Sequence, residues 1–166
     1  VVGGGVSYRG SLDGVTIDLG KQGSQDTGSS GLDTLLDVMS LEGSSFSDVL
    51  SGNAGDNIID GLGGSDTMAG GAGNDYYYVD SERDEVDESA IIGALYVTTR
   101  SPGIDPTQTP GSGIDTVEST VSYLLKTGIE NLTLALGSAA LTGAGNELNN
   151  LITGNAGANT LLGLGG

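Results

Sequence analysis

Three copies of a nine-residue unit stand end to end in the middle of the chain. They are GNAGDNIID from Gly52, GLGGSDTMA from Gly61 and GGAGNDYYY from Gly70. Each follows the pattern G-G-x-G-x-D-x-U-x, in which U is a large apolar residue. The first six residues can form a glycine-rich turn whose carbonyls and one carboxylate surround a hard cation, and the last three can form a short strand. Because stacked units close a coil every two repeats, the pattern predicts a calcium-dependent parallel β-roll.

A degenerate fourth copy, GSSFSDVLS, precedes these units from Gly43 and keeps the first glycine, the acidic sixth position and the apolar eighth position. The four units are therefore in one strict register. Position six carries Asp48, Asn57, Asp66 and Asp75, and position eight carries Leu50, Ile59, Met68 and Tyr77.

A second block of the same unit lies at the end of the chain, as GNELNNLIT from Gly145, GNAGANTLL from Gly154 and a truncated copy from Gly163. Its sixth positions hold Asn150 and Asn159 in place of Asp. Asn offers one neutral oxygen where Asp offers a charged carboxylate. We therefore expect this block to bind calcium weakly, to serve as an end cap, or to stack its Asn side chains as hydrogen-bonded ladders.

The remaining segments predict strands. Residues 112–141 alternate polar and apolar positions, and the N-terminal stretch from Val6 predicts two strands around a turn with glycine. The segment LDTLLDVMSLE from Leu32 is compatible with one short helical turn. The expected fold is an all-β parallel β-roll, or β-solenoid, with flanking strand segments. Its expected divisions are a strand flank 1–42, the roll 43–88, an insertion 89–113, a strand flank 114–144 and the second repeat block 145–166.

The insertion from Ser89 to Gly113 contains all three prolines of the chain, in polar surroundings. This composition predicts a projecting loop or hairpin, with residues 94–99 as a candidate strand.

Composition supports a fold that depends on a cation. The 166 residues include 31 Gly but one Phe and no Trp, so the ingredients of an ordinary core are scarce. Acidic residues number 22 against five basic ones, which argues against a nucleic-acid partner, since nucleic acid requires a basic footprint. The absence of His and Cys argues against zinc and against a His-based catalytic triad. We expect no enzyme activity in these residues and no direct membrane insertion, because no apolar run approaches membrane-spanning length.

The chain begins without Met and stops inside a repeat, so we expect it to be a segment of a longer polypeptide.

The nonapeptides resemble those of the RTX family, the hemolysin-type calcium-binding repeats of proteins exported by Gram-negative bacteria. The flanking segments, such as GNDYYYVD from Gly73 and GIDTVESTVSYLL from Gly113, are also similar to segments that accompany these repeats. The resemblance implies a secreted or cell-surface protein that is disordered in the calcium-poor cytosol. It implies that the unfolded chain passes through the type I secretion machinery and folds when it meets extracellular calcium.

The resemblance also implies which residues bind Ca²⁺. In the family arrangement, one repeat faces the repeat two units later across each ion. The first implied set is Ser44, Phe46 and Asp48 opposite Gly61, Gly63 and Asp66. The second is Asn53, Gly55 and Asn57 opposite Gly70, Ala72 and Asp75. The third combines Leu62, Gly64 and Asp66 with either Asp80 or Asp84.

These observations predict a non-enzymatic, calcium-binding structural module of a secreted protein. One alternative is a recognition module of a surface adhesin, in which the insertion or the tyrosines from Tyr76 to Tyr78 contact a cell-surface or glycan target. Another is an accessory or self-processing domain of a secreted enzyme or toxin, for which the Asp105–Pro106 bond is a candidate cleavage position.

Overall fold

The computed structural model describes residues 4–88, 111–137, 139 and 141–166. The described residues form strands and turns, with a single 3-10 helix at Gly28–Ser30. The strands are β1 Gly4–Ser7, β2 Thr16–Asp18, β3 Ser24–Asp26, β4 Leu32–Thr34, β5 Val38–Glu42, β6 Val49–Ser51, β7 Ile58–Asp60, β8 Thr67–Ala69, β9 Tyr76–Val79, β10 Glu85–Val86, β11 Thr116–Ser119, β12 Tyr123–Leu124, β13 Asn131–Leu134, β14 Thr142–Ala144, β15 Leu151–Thr153 and β16 Thr160–Leu162.

Three parallel sheets build a β-roll, as the repeats predict. One sheet contains seven strands in the order β1-β5-β7-β9-β11-β13-β15. The other side consists of a four-stranded sheet, β10-β8-β6-β2, and a three-stranded sheet, β12-β14-β16. Strands β3 and β4 form a separate antiparallel pair. Successive repeats thus contribute alternately to the two sides of the roll.

The core lies between the sheets, and the first repeat block contributes the eighth position of each repeat to it. Leu50, Ile59, Met68 and Tyr77 are each 0% exposed. Each is the second residue of a short strand, so its side chain points inward while the flanking strand residues point outward. Burying such a side chain is worth about 1.5–3 kcal/mol. The eighth-position residues of the first block therefore supply the packing that stacks one coil on the next, whereas in the second block Ile152 is half-buried and Leu161 is exposed.

The coils of the first repeat block have a length of eighteen residues, and the coil that follows them is longer. The N–H of Asn57 bonds Asp75, eighteen residues later, whereas the N–H of Asp75 bonds Asp115, forty residues later. The difference of 22 residues equals the length of the segment 89–110. The roll therefore continues in register on either side of that segment.

The far end of the predicted insertion lies against the roll. Ser112 pairs with Ala72 in an isolated parallel bridge, and the N–H of Gly73 donates to the carbonyl of Ser112 at 2.9 Å. Residues 111–113, placed in the insertion from the sequence, thus occupy a turn of the roll. The candidate strand at 94–99 and the Asp105–Pro106 bond lie outside the described residues.

The short helical turn expected between Leu32 and Glu42 is wrong, because this segment forms β4 and β5. Strand β5 pairs with β1 on one side and with β7 on the other, and its Leu41 is buried in the core. Pairing with two neighbours outweighs the weak helical pattern of this stretch. The strands expected in 112–141 and near the N-terminus are confirmed as β11, β12 and β13 and as β1 and β2.

Candidate metal sites

The sixth-position side chains form a ladder along one flank of the roll. The N–H of Asp48 donates to Oδ1 of Asp66 at 2.9 Å, and the N–H of Asp66 donates to Oδ1 of Asp84 at 3.0 Å. The ladder begins at Val15, whose N–H donates to Oδ1 of Asp48 at 2.7 Å. Each carboxylate therefore reaches across to the preceding coil, and all three are buried.

A second ladder runs along the opposite flank. The N–H of Asn57 donates to Oδ1 of Asp75 at 2.7 Å, and the N–H of Asp75 donates to Oδ1 of Asp115 at 2.8 Å. The N–H of Asp115 then donates to Oε2 of Glu130 at 2.9 Å. This ladder crosses the 89–110 interruption without a break.

The glycine that opens each repeat leaves room for the carboxylate. A Cβ at Gly61 would lie 2.3 Å from Oδ2 of Asp66, and one at Gly70 would lie 2.1 Å from Oδ2 of Asp75. Contacts this short are not tolerated between non-bonded atoms. Position one is thus glycine because the second carboxylate oxygen of position six occupies that space.

That second oxygen has no hydrogen-bond partner in three cases. Oδ2 of Asp66, Asp75 and Asp115 is buried without one. Leaving a carboxylate oxygen buried and unpaired is costly, and a bound cation removes the cost. The arrangement therefore fits a hard cation placed beside these oxygens.

The pKa values of the three carboxyls reflect the same burial. Burial raises the pKa of Asp66 to about 7, with further contributions from the nearby carboxylates of Asp84 and Asp48. Burial likewise raises the pKa of Asp75 to about 7 and that of Asp115 to about 6. The charged form of each group is thus disfavoured in the fold unless a positive charge is added.

The structure brings the first implied ligand set together. Asp48 and Asp66 are linked in the ladder, and the N–H of Ser44 donates to Oδ2 of Asp48 at 2.6 Å. The carbonyl oxygen of Phe46 lies 2.6 Å from where a Cβ of Gly64 would be. The carbonyl oxygen of Gly61 lies 2.8 Å from where a Cβ of Gly43 would be. Gly63 precedes Gly64 in the same turn, and nothing lies within 4 Å of where a Cβ of Gly63 would be.

The second implied set is also brought together. The N–H of Ala72 donates to the carbonyl of Asn53 at 3.2 Å, and Asn57 is linked to Asp75 in the ladder. Two further carbonyls of this set approach glycines of the facing turn. The carbonyl oxygen of Gly55 lies 3.0 Å from where a Cβ of Gly73 would be, and the carbonyl oxygen of Gly70 lies 2.2 Å from where a Cβ of Gly52 would be.

In the third set the structure distinguishes Asp84 from Asp80. Asp84 is 4% exposed and accepts the N–H of Asp66, whereas Asp80 is exposed and donates its own N–H to Oδ2 of Asp84 at 3.2 Å. Leu62 has a φ of 61°, and its N–H donates to Oδ1 of Asp60 at 2.9 Å. Of the two alternatives, Asp84 is the residue in line with Asp48 and Asp66.

The sixth-position Asn side chains of the second block find their hydrogen-bond partners within the protein. Oδ1 of Asn150 accepts the N–H of Asn146, and its Nδ2 donates to the carbonyls of Ile129 and Glu130. Asn159 accepts the N–H of Asn155 and donates to the Oδ1 of that residue. These side chains hydrogen-bond to the protein, whereas Asp66, Asp75 and Asp115 each keep one buried oxygen without a partner.

Sequence reasoning missed Asp115, Glu130 and Glu88. The signal for Asp115 was present, since GSGIDTV from Gly111 matches positions two to eight of the repeat, with Asp115 at position six and Val117 at position eight. Glu130 and Glu88 have no such signal, because only the folded chain brings them to the ladder. Burial, together with the charge of Asp115, raises the pKa of Glu88 to about 8.

The tyrosine run divides between the core and the surface. Tyr77 is 0% exposed, whereas Tyr76 and Tyr78 lie on the outer face of the seven-stranded sheet. Their ring centroids are 5.3 Å apart with a tilt of 56°. The hydroxyl of Tyr76 donates to Oε2 of Glu118 at 2.6 Å. A flat platform for stacking a sugar requires coplanar rings. The rings of Tyr76 and Tyr78 are tilted and do not form one.

No helix among the described residues is long and apolar enough to cross a membrane.

Comparisons with known proteins agree with the repeat geometry. Residues 42–77 and 144–166 match the model of the RTX calcium-binding nonapeptide repeat, in four copies. The chain is also 32% identical over 121 residues to the endo-1,3-1,4-beta-glycanase ExsH of Rhizobium meliloti (strain 1021). That alignment covers 73% of this chain but 20% of the glycanase, so the chain spans about one fifth of this relative's length. No solved structure matches. The two repeat blocks of this chain are therefore RTX calcium-binding nonapeptide repeats, a repeat whose ion is Ca²⁺.

Proposed function

We propose that this chain is a calcium-dependent folding module of a secreted protein. In this account the chain is unfolded where calcium is scarce, leaves the cell through a type I secretion channel and folds when it meets extracellular calcium. RTX repeat proteins are typically secreted, which supports the proposal. In this account the module contributes structure, rather than catalysis, to a larger protein.

The observation that carries the proposal is the set of three buried carboxylate oxygens without partners, on Asp66, Asp75 and Asp115. The chain has a formal net charge of −17, so bringing further carboxylates together in the fold opposes folding. Calcium supplies the positive charge and the extra oxygen coordination that these groups lack. Folding and calcium binding are thereby coupled.

The proposed ligands follow the two ladders. On one flank they are Asp48, Asp66 and Asp84, and on the other Asn57, Asp75 and Asp115, each with carbonyls of the adjoining glycine-rich turns. Extracellular modules bind calcium at about 10⁻⁴ to 10⁻³ M. A site filled at about 100 times its dissociation constant stabilises the fold by roughly 2.7 kcal/mol, and a domain's whole stability is about 5–15 kcal/mol. Two or three such sites are enough to decide whether the chain folds.

Small-angle X-ray scattering of the chain in chelator and in millimolar calcium tests this function. A folded chain of this length has a radius of gyration of about 15 Å, and an unfolded one of about 43 Å. We expect the large radius in chelator or magnesium and a radius near the smaller value in calcium. A compact chain in chelator would contradict the proposal.

A second candidate is an accessory part of a secreted glycan-cleaving enzyme. The similarity to a glycanase over 73% of this chain favours it. Because that similarity covers 20% of the glycanase, the module would support a catalytic domain that lies elsewhere in the same polypeptide. Linking this chain to such a domain and measuring the enzyme's half-life at 37 °C with and without calcium tests the idea. A half-life that does not change with calcium would contradict it.

A further inference from the structure

Three buried carboxylates meet where the roll is interrupted. One carboxylate oxygen from each of Asp75, Glu88 and Asp115 lies within 4.8 Å of the others. The side chains are 2%, 1% and 0% exposed. Asp75 and Asp115 are the sixth residues of facing turns, but Glu88 lies outside the nonapeptide pattern.

Besides the clustering of the three carboxylates, a second observation indicates a ligand: one oxygen of each aspartate has no hydrogen-bond partner. Oδ1 of Asp75 accepts the N–H of Asn57 and Oδ1 of Asp115 accepts the N–H of Asp75, whereas Oδ2 of each is buried without a partner. Oδ2 of Asp75 lies over Gly70, at 2.1 Å from where a Cβ would be. The N–H of Gly70 also donates to Oε1 of Glu88, at 3.2 Å. The unpartnered oxygen of Asp75 therefore faces the same turn that holds Glu88.

Backbone contacts fix Glu88 in this place. Its Oε2 accepts the N–H of Gly71 at 3.3 Å, so adjacent N–H groups hold the two oxygens of one carboxylate. A Cβ at Gly128 would lie 2.8 Å from the Cβ of Glu88, and one at Gly111 would lie 3.1 Å from it. Glycine at both positions allows the glutamate to lie inside the roll.

We propose that Asp75, Glu88 and Asp115 bind one hard divalent cation, Ca²⁺, that fastens together the two ends of the 89–110 segment. Three carboxylates and no His or Cys favour a hard ion over zinc. Glu88 is the last residue before the 89–110 segment, and Asp115 is the fifth residue after that segment. The ion would therefore hold in register two coils that the chain connects through 22 additional residues rather than directly. The proposal rests on the calcium-binding function proposed above and adds a ligand from outside the repeats.

Calcium stoichiometry of the full chain tests the site, measured by equilibrium dialysis with calcium alone as the probe. The variant is Glu88→Gln, which keeps the shape and can still accept the N–H of Gly70. The matched control is Glu85→Gln, which makes the same change of charge three residues away at an exposed position. We expect Glu88→Gln to bind one calcium fewer per chain than the wild type, and Glu85→Gln to bind the full number.

Equal stoichiometry and equal affinity in Glu88→Gln and the wild type would overturn the site. If the wild type itself shows no calcium-dependent folding, the proposed function fails instead, so the two failures are distinguishable. Should Glu88→Gln not fold, the wild-type chain crystallised with terbium replaces the variant. An anomalous peak about 2.3–2.6 Å from a Glu88 carboxylate oxygen would support the site, and the absence of a peak there would overturn it.

Discussion

The backbone N–H of Asp48 donates a 2.9 Å hydrogen bond to Oδ1 of Asp66, eighteen residues further along the chain. The same carboxylate keeps its other oxygen buried and without a partner. One oxygen thus joins two successive coils through the backbone, and we propose that the other binds a cation. The need for both a hydrogen bond between coils and a ligand for the proposed cation explains an acid at the sixth position of the repeat.

Asp66→Asn should shift calcium-induced folding to higher calcium. The substitution keeps an oxygen for the N–H of Asp48 but removes the charge of a residue that stands between Asp48 and Asp84. Losing one site that is filled at about 100 times its dissociation constant costs roughly 2.7 kcal/mol. Far-ultraviolet circular dichroism during a calcium titration measures the midpoint. Asp56→Asn is the control, since Asp56 is exposed, and an unchanged midpoint for Asp66→Asn would argue against ligation by this residue.

Asn57→Asp should raise the affinity of the second flank for calcium. Oδ1 of Asn57 accepts the N–H of Asn53 at 2.7 Å, and its Nδ2 is buried without a partner. An aspartate can keep the hydrogen bond and replace the unpartnered donor with a charged oxygen ligand. We expect the calcium midpoint to fall several-fold in a calorimetric titration. A midpoint that rises would show that repulsion from Asp75 dominates over ligation.

The metal-free fold should be more stable in acid. The pKa of Asp66 and of Asp75 is about 7 in the fold against an ordinary value of 3.8, so the folded chain binds protons that the unfolded chain releases. The stability from these groups is fully present below about pH 4 and is lost as the pH rises through about 7. We expect circular dichroism in chelator to show more β-structure at pH 4 than at pH 8. The reverse order would contradict the assignment.

Calcium reverses this dependence, because it competes with the protons for the same oxygens. The calcium midpoint should therefore be higher at pH 6 than at pH 8. A midpoint independent of pH over that range would show that these carboxylates do not bind the ion.

Gly64→Ala should destabilise the calcium-bound chain, whereas Gly63→Ala should not. Gly64 has a φ of 150°, and an added Cβ would lie 2.6 Å from the carbonyl oxygen of Phe46. The next glycine along, Gly63, has nothing within 4 Å of an added Cβ. We expect Gly64→Ala to lose about 2 kcal/mol or more in urea unfolding at saturating calcium. Equal effects of the two alanines would mean that the turns are not packed this closely.

Much of this fold follows from the sequence because the repeat encodes it locally. The period of nine residues places Leu50, Ile59, Met68 and Tyr77 in one buried row, and the structure confirms that row. The parallel β-roll and its calcium-binding repeats could be predicted from this periodicity.

The rest depends on where distant segments meet. Glu88 and Glu130 enter the ladders through contacts with Gly70 and Asp115 that no local pattern announces. The prolines that precede residues 111–113 obscure, in the sequence, a repeat that begins again at that point. The extended conformation of β5 also depends on distant segments, since it is set by pairing with β1 and β7 and not by the local sequence.

Amide hydrogen exchange of Asp48 and Asn57, resolved by NMR in chelator and in calcium, tests the coupling of ion and coil most directly. Both N–H groups donate to carboxylates of the following coil, Asp66 and Asp75. If calcium holds the coils together, both amides should exchange at the rate of an unfolded chain in chelator and be strongly protected in calcium. Equal protection in the two conditions would show that the coils stack without the ion and would contradict the account.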